Sequence, residues 1–180
     1  MPLFLQRPAE GEYLPYFDKY IALVPDGDLI DLLARTADTT IAFVRHQPTE
    51  FADHAYAEGK WTVKEVIGHV CDAERIFCYR LLRIGRGDET PLEGFDENAY
   101  VPSGKFAERT LESLLQEFAA VRQASISLIG GLPDEAWSSS GIANGNPISA
   151  RALAYIIVGH ELHHAAILRT RYLSPAAARV

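Results

Sequence analysis

Two of the six histidines in the chain, His160 and His164, stand four apart in the run Val158-Gly159-His160-Glu161-Leu162-His163-His164-Ala165-Ala166-Ile167-Leu168. On a helix, residues at this spacing lie about 40° apart around the axis and about 6 Å apart along it, so both imidazoles can reach one cation. They share a stripe with Leu153, Ile156, Ile157, Ile167 and Leu168. An imidazole aimed into an apolar core must be hydrogen-bonded or coordinated, because an unpaired buried polar group costs roughly 1–3 kcal/mol. One metal ion satisfies both rings. The same letters spell H-E-x-x-H, the pattern in which two histidines bind zinc and the glutamate acts as base. Zincin proteases take their third ligand from further along the chain, however, and no His, Asp, Glu or Cys follows His164. The third ligand therefore has to come from upstream. His69 is the candidate, since it shares a helical face with Val66, Ala73 and Ile76, although a single helix histidine is equally read as a hydrogen-bonded core residue. Three imidazoles from two helices leave one coordination position open, as in catalytic zinc sites and unlike closed structural ones. Zinc is the first choice, with nickel, iron and manganese open, because imidazole discriminates poorly among them.

Several neighbours gain candidate roles from this placement. Glu161 falls about 60° from His164, within reach of a reactant at the metal or at the bundle edge. His163 lies about 60° from His160, on the flank of the site or at the surface. Glu65 and Asp72 flank His69 by about one turn, where a carboxylate accepts the ring's second N–H; Glu65 also completes a capping box with Thr62, which leaves Asp72 as the candidate. Arg80 follows His69 by eleven residues on nearly the same face, placed for an anionic substrate or for pairing with Glu74 or Asp72. Cys71 and Cys78 are about 10.5 Å apart along the predicted helix, too far for a disulfide, and point away from the His69 face, so they read as reduced packing thiols. His46 ends a helix and His54 sits in a loop, and neither is placed as a ligand.

The elements that must position these residues follow from periodicity and punctuation. Residues 1–27 carry Pro2, Pro8, Pro15 and Pro25 among Tyr13, Tyr16, Phe17 and Tyr20, predicting an arm packed on the domain with a helical turn near 16–22. A bundle domain is expected over 28–175. Asp28 caps its first helix, which carries Leu29, Leu32, Leu33, Thr36, Thr40, Phe43 and Val44 and stops before Pro48. Thr62 opens a second, to about Arg86. The segment 88–105 is too long for a tight hairpin and suits a crossover. A third helix runs from about Thr110 to Ile129, ended by Gly130-Gly131. Residues 138–146 read as a loop, and a fourth helix starts near Pro147 or Ser149 and continues to about Tyr172, with a frayed tail after Pro175. Four amphipathic helices with a long connection predict an all-α four-helix bundle that is not simple up-and-down.

Composition narrows the partners. With 180 residues, 48% of them hydrophobic, the chain suits one domain. A net charge of −7 gives no basis for nucleic-acid binding, which needs clustered Lys and Arg. No apolar run is long enough to span a membrane, and the N-terminus lacks a signal-peptide pattern, so a cytoplasmic protein is expected.

Three separated pieces resemble the DinB-like superfamily: Trp61-Thr62-Val63-Lys64-Glu65-Val66-Ile67-Gly68-His69-Val70 with Asp72-Ala73-Glu74-Arg75, then Gly94-Phe95-Asp96-Glu97, then Gly159-His160-Glu161-Leu162-His163-His164. The pattern is most similar to the branch that includes bacillithiol transferases and metal-dependent hydrolases, and it spans about residues 28–173. The resemblance implies an up-down-down-up bundle, a divalent metal on His69, His160 and His164, and a homodimer. Its members' reactions include thiol S-transfer and a mycothiol-dependent isomerisation, so it implies a small-molecule thiol or an electrophile as partner without fixing the reaction. A metal-dependent S-transferase or hydrolase is the expected function, with a non-catalytic metal-binding stress or interaction domain as the alternative.

Overall fold

Each long helix begins where the sequence supplies a cap. In the computed structural model, which describes residues 2–173, Asp28 accepts from the Ile30 amide to open α2 (Leu29–Arg45), after the short α1 (Asp18–Ile21). Thr62 and Glu65 form a reciprocal capping box at the start of α3 (Val63–Gly85). Thr110 accepts from Ser113 to open α5 (Leu111–Gly130), and Ser149 accepts from Ala152 to open α6 (Ala150–Ile167). Such caps stabilise a helix by about 1 kcal/mol each, since they satisfy amides that have no partner inside the helix. The crossover contains α4 (Glu97–Ser103), capped by Asp96. A turn of π-helix, Leu168–Tyr172, continues α6. The reading of a frayed tail after Pro175 lies outside the described residues.

Contacts between the helices set their directions. Ile30 lies against Gly130, Arg122 bonds Leu33 and Thr36, and Arg45 bonds Glu112, so α2 and α5 are antiparallel. Arg75 pairs with Glu117 and Cys78 meets Ser125, both numbers rising together, so α3 and α5 are parallel. His69 contacts His164 while Phe77, two turns later, contacts His160, so α6 opposes α3. The order is up-down-down-up, and the parallel pair α3 and α5 requires the long crossover.

The segment read as a loop contains a hairpin. Strands β1 (Ser140–Ala143) and β2 (Asn146–Ser149) pair antiparallel, Ser140 opposite Ser149 and Ala143 opposite Asn146. The turn is Asn144-Gly145, both left-handed with φ of 50° and 72°, the combination a type I′ hairpin requires. Pro147 therefore belongs to a strand, and α6 starts only after Ser149. The Asn144 amide bonds the Leu92 carbonyl and the Leu92 amide bonds that of Ile142, which pins the hairpin to the crossover.

Helix α6 is the centre of the molecule. From Ala152 to Glu161 every residue is buried, as expected of a helix that is apolar on all sides. The N-terminal arm covers one face: Leu3 exchanges bonds with Asp28 and Leu29, Tyr155 donates to the Leu5 carbonyl, and Glu12 pairs with Arg151. Gly159 permits the closest approach, since a Cβ there would stand 2.2 Å from the Tyr20 carbonyl oxygen.

Below the histidines a polar cluster ties the four long helices together. Arg122 on α5 makes a two-pronged pair with Glu74 on α3, each N···O distance 2.8 Å, and donates to the Leu33 carbonyl on α2 and to Glu161 on α6. Thr40 donates to Glu161 at 2.6 Å and Ser125 to Glu74 at 2.6 Å. Burial opposes the charge on Arg122, but pairing with Glu74 and the field of Glu161 outweigh it and raise the pKa above the ordinary guanidinium value.

Candidate metal centre

His69 points from α3, and His160 and His164 from successive turns of α6, into one space between the helices. The Nε2 atoms of His69 and His164 each lie 3.2 Å from that of His160, and one ring nitrogen of each residue falls within 4.8 Å of the others. Hydrogen bonding does not account for this arrangement. The His160 Nε2 carries either one proton or one in-plane lone pair, so it can make one good N–H···N bond and leaves the other neighbour unmatched. A cation serves all three lone pairs. Nitrogens at zinc–imidazole distance and tetrahedral angles stand about 3.3 Å apart, close to the two short separations.

The electrostatics favour the ligating form. Burial pushes His69 down to about 4, against the pull of Glu97. Burial, and then the neighbouring imidazoles, hold His160 and His164 well below the ordinary histidine value. All three rings are thus neutral near pH 7, the state a metal ligand needs. Among the described residues no fourth His, Cys, Asp or Glu joins the group.

Aromatic rings enclose the cluster. Tyr20 stands edge-on to His160 at 5.3 Å between centroids, Phe77 contacts the same ring at 5.6 Å, and Trp61 covers His69 at 4.8 Å. Among the described residues, cavities reach it from two sides. One of about 410 Å³ is bounded by His69 and His160 with Phe77, Arg80, Phe95 and the hairpin. A smaller one of about 250 Å³ is bounded by His164, Trp61 and Tyr172.

The remaining candidates divide. Arg80 lines the larger cavity, and its Nη2 donates to the Glu93 carbonyl at 2.8 Å; it pairs with neither Glu74 nor Asp72. His163 is half-buried, edge-on to Tyr20 and His164, beside the cluster. Glu161 does not face the histidines: its two oxygens are taken by Thr40 and Arg122 in the buried polar cluster, because its Cα turns it toward α2 and α5. Of the two placements open to Glu161, beside a reactant at the metal or at the bundle edge, it takes neither and lies within the buried cluster. Asp72 lies near Arg75, 3.5 Å away, on the outer side of α3, and makes no hydrogen bond to His69. Cys71 and Cys78 are free thiols, both raised by burial, Cys78 to about 11. Sequence reasoning missed Arg122, a charge inside an otherwise apolar stripe. It also missed the wall made by Tyr20, for which the aromatic density of the arm was the available signal.

A four-helix bundle in this order, with a three-histidine group at the junction of its second and fourth long helices, defines the class of protein. The chain belongs to the DinB superfamily, whose family model matches residues 32–168. No curated protein matches it. Among solved structures it is similar to YfiT from Bacillus subtilis, described as a probable metal-dependent hydrolase with an unusual four-helix bundle topology, with a TM-score of 0.68 and 20% identity over 94% of this chain and 95% of that one. The mycothiol-dependent maleylpyruvate isomerase gives a TM-score of 0.62 and 19% identity over 85% of this chain, which spans 60% of that enzyme's length. A DinB-like protein from Bacillus subtilis gives 0.58 and 15%, over 80% of this chain and 88% of that one. At these identities the likeness is one of fold.

Proposed function

We propose that this protein is a metal-dependent enzyme in which His69, His160 and His164 hold a divalent ion, zinc first and nickel, iron or manganese next, and that it transfers a low-molecular-weight thiol to an electrophile. The observation that carries the reading is the convergence of three neutral ring nitrogens, 3.2 Å apart along two edges, with no fourth His, Cys, Asp or Glu donor among the described residues and a cavity beside them. A bound ion of this kind is a Lewis acid that lowers the pKa of a thiol or a water into the physiological range. The chain's own residues do the rest. Tyr20, Phe77 and Trp61 fix the ring planes and exclude bulk water, which strengthens electrostatic interactions inside the site.

The names of the structural neighbours support both a thiol and a water as the activated group, and hydrolysis is the second chemistry in the proposal. In this reading Glu161 takes no part in the reaction, supported by the hold of Thr40 and Arg122 on its carboxylate. A homodimer and a cytoplasmic location belong to the same reading, the first checked by light scattering in solution. Among the described residues no helix is long and apolar enough to cross a membrane.

Elemental analysis of the wild type beside His69→Ala and His164→Ala tests the ligand set: about one metal per chain is expected in the wild type and far less in either variant. Stoichiometric metal retained by either variant refutes it. Electrophile consumption with a panel of cellular thiols then tests the chemistry, and retained metal with no turnover of thiol or ester substrates leaves only a helix-tying role for the ion.

A further inference from the structure

Among the described residues the buried cations are Lys64, Arg80 and Arg122, and two of them have carboxylate partners. Lys64 meets Asp53 at 2.8 Å and Arg122 meets Glu74 at 2.8 Å. Arg80 differs. Its side chain belongs to a residue only 6% exposed, yet among the described residues no carboxylate pairs with it, and the Glu93 carbonyl accepts one of its five N–H donors. A guanidinium remains protonated even when burial lowers its pKa, as it does here, so the charge persists. The Arg80 nitrogens that lack a protein partner are not sealed from solvent, so a ligand in the cavity can supply the counter-charge that no carboxylate here does. The free edge of Arg80 borders the larger cavity, the one that opens on His69 and His160.

We propose that Arg80 binds a carboxylate on an extended organic co-substrate, holding it at the end of the cavity remote from the histidines. The spacing sets the length. Arg80 follows His69 by eleven residues on α3, about 16 Å along the axis, and the long arginine chain leans back toward the helix N-terminus, leaving a gap on the order of 10 Å. An aliphatic chain of about six carbons spans it. Phe17, Phe77 and Phe95 line the wall between, which suits an apolar spacer. Glu97 borders the same cavity and repels additional negative charge, so the favoured ligand is a monocarboxylate. A planar carboxylate also matches the guanidinium fork in two parallel bonds.

This inference rests on the proposed thiol chemistry only for which end of the ligand reacts; the carboxylate subsite is testable without it. Calorimetry on metal-loaded protein compares 6-mercaptohexanoate with 6-mercaptohexan-1-ol, and on metal-free protein compares hexanoate with hexan-1-ol. In the wild type the acid is expected to bind at least about 10-fold more tightly than the alcohol in both pairs. Arg80→Gln, which keeps one donor for the Glu93 carbonyl, is expected to erase that preference with metal content unchanged, and Arg80→Lys to restore part of it. Equal binding of acid and alcohol by the wild type, or an undiminished preference in Arg80→Gln, overturns the proposal. If the thiol group adds nothing in the metal-loaded protein while the preference for acids persists, the thiol reading fails and the carboxylate subsite stands.

Discussion

Glu161 shows how adjacency in sequence differs from adjacency at a site. It follows a proposed ligand directly, in a motif where the corresponding glutamate is a base, yet Thr40 and Arg122 occupy its oxygens on the far side of α6. Two roles therefore predict opposite outcomes for Glu161→Gln. A general base would lose about 10²–10⁴-fold in turnover with stability intact. The geometry instead predicts turnover per metal-loaded molecule within a few-fold of wild type and a lower melting temperature, because the buried charge of Arg122 loses one of its partners. Steady-state kinetics normalised to metal content, beside a thermal melt, separates the two. Removing the arginine is more severe. Arg122→Leu leaves Glu74 and Glu161 buried without their cation, which costs about 3–5 kcal/mol, or roughly 10 °C in melting temperature for a chain of this size. A melt within about 2 °C of wild type would show that the cluster contributes little to stability.

At the scale of elements, what could be read from the sequence was what is decided locally. The caps at Asp28, Thr62, Thr110 and Ser149 act within three residues, and the apolar stripes repeat every helical turn, so helix positions follow from short windows. The pair His160 and His164 was legible for the same reason, and His69 as the upstream helix histidine among apolar neighbours. The hairpin was not, although Asn144-Gly145 is a strong local signal, because Ser, Gly and Pro147 around it hide the alternation of its strands. The Arg122 cluster joins residues 39 and 48 positions apart, a relation no periodicity encodes. Nor does spacing disclose that α6 is covered by the arm, which depends on Gly159. Replacing it by alanine puts a methyl group into the Tyr20 backbone. The arm must then lift, with a loss of about 1–3 kcal/mol. Gly159→Ala is expected to melt several degrees lower, to bind metal more weakly through the displaced Tyr20, and to be cut by trypsin after Lys19 faster than wild type. Unchanged proteolysis would mean that the arm is held by its other contacts, those of Arg7 and Glu12.

For the molecule as a whole, the three rings couple stability to metal and to protons. Each is neutral in the fold, His69 being pushed to about 4, whereas an unfolded histidine titrates near 6.5. Between those values the unfolded chain binds more protons than the native one, so stability is full above about pH 6.5 and falls as pH drops toward 4. Each ring contributes a slope of up to about 1.4 kcal/mol per pH unit across its window. The metal-free protein should thus lose stability steeply below pH 6, and His69→Phe, which removes one such ring, should flatten the dependence. A divalent ion that binds only the native state adds about 2.7 kcal/mol when present at 100 times its dissociation constant, which raises the melting temperature by roughly 5–10 °C. Protons compete for the same nitrogens only near and below the native value of about 4, so that increment should hold from pH 7 to 5 and shrink as the pH falls toward 4. Melting curves with and without chelator at a series of pH values measure both effects. A chelator-induced drop that already shrinks markedly between pH 7 and 5 would place the stabilising metal on donors of ordinary histidine pKa and not on these buried imidazoles.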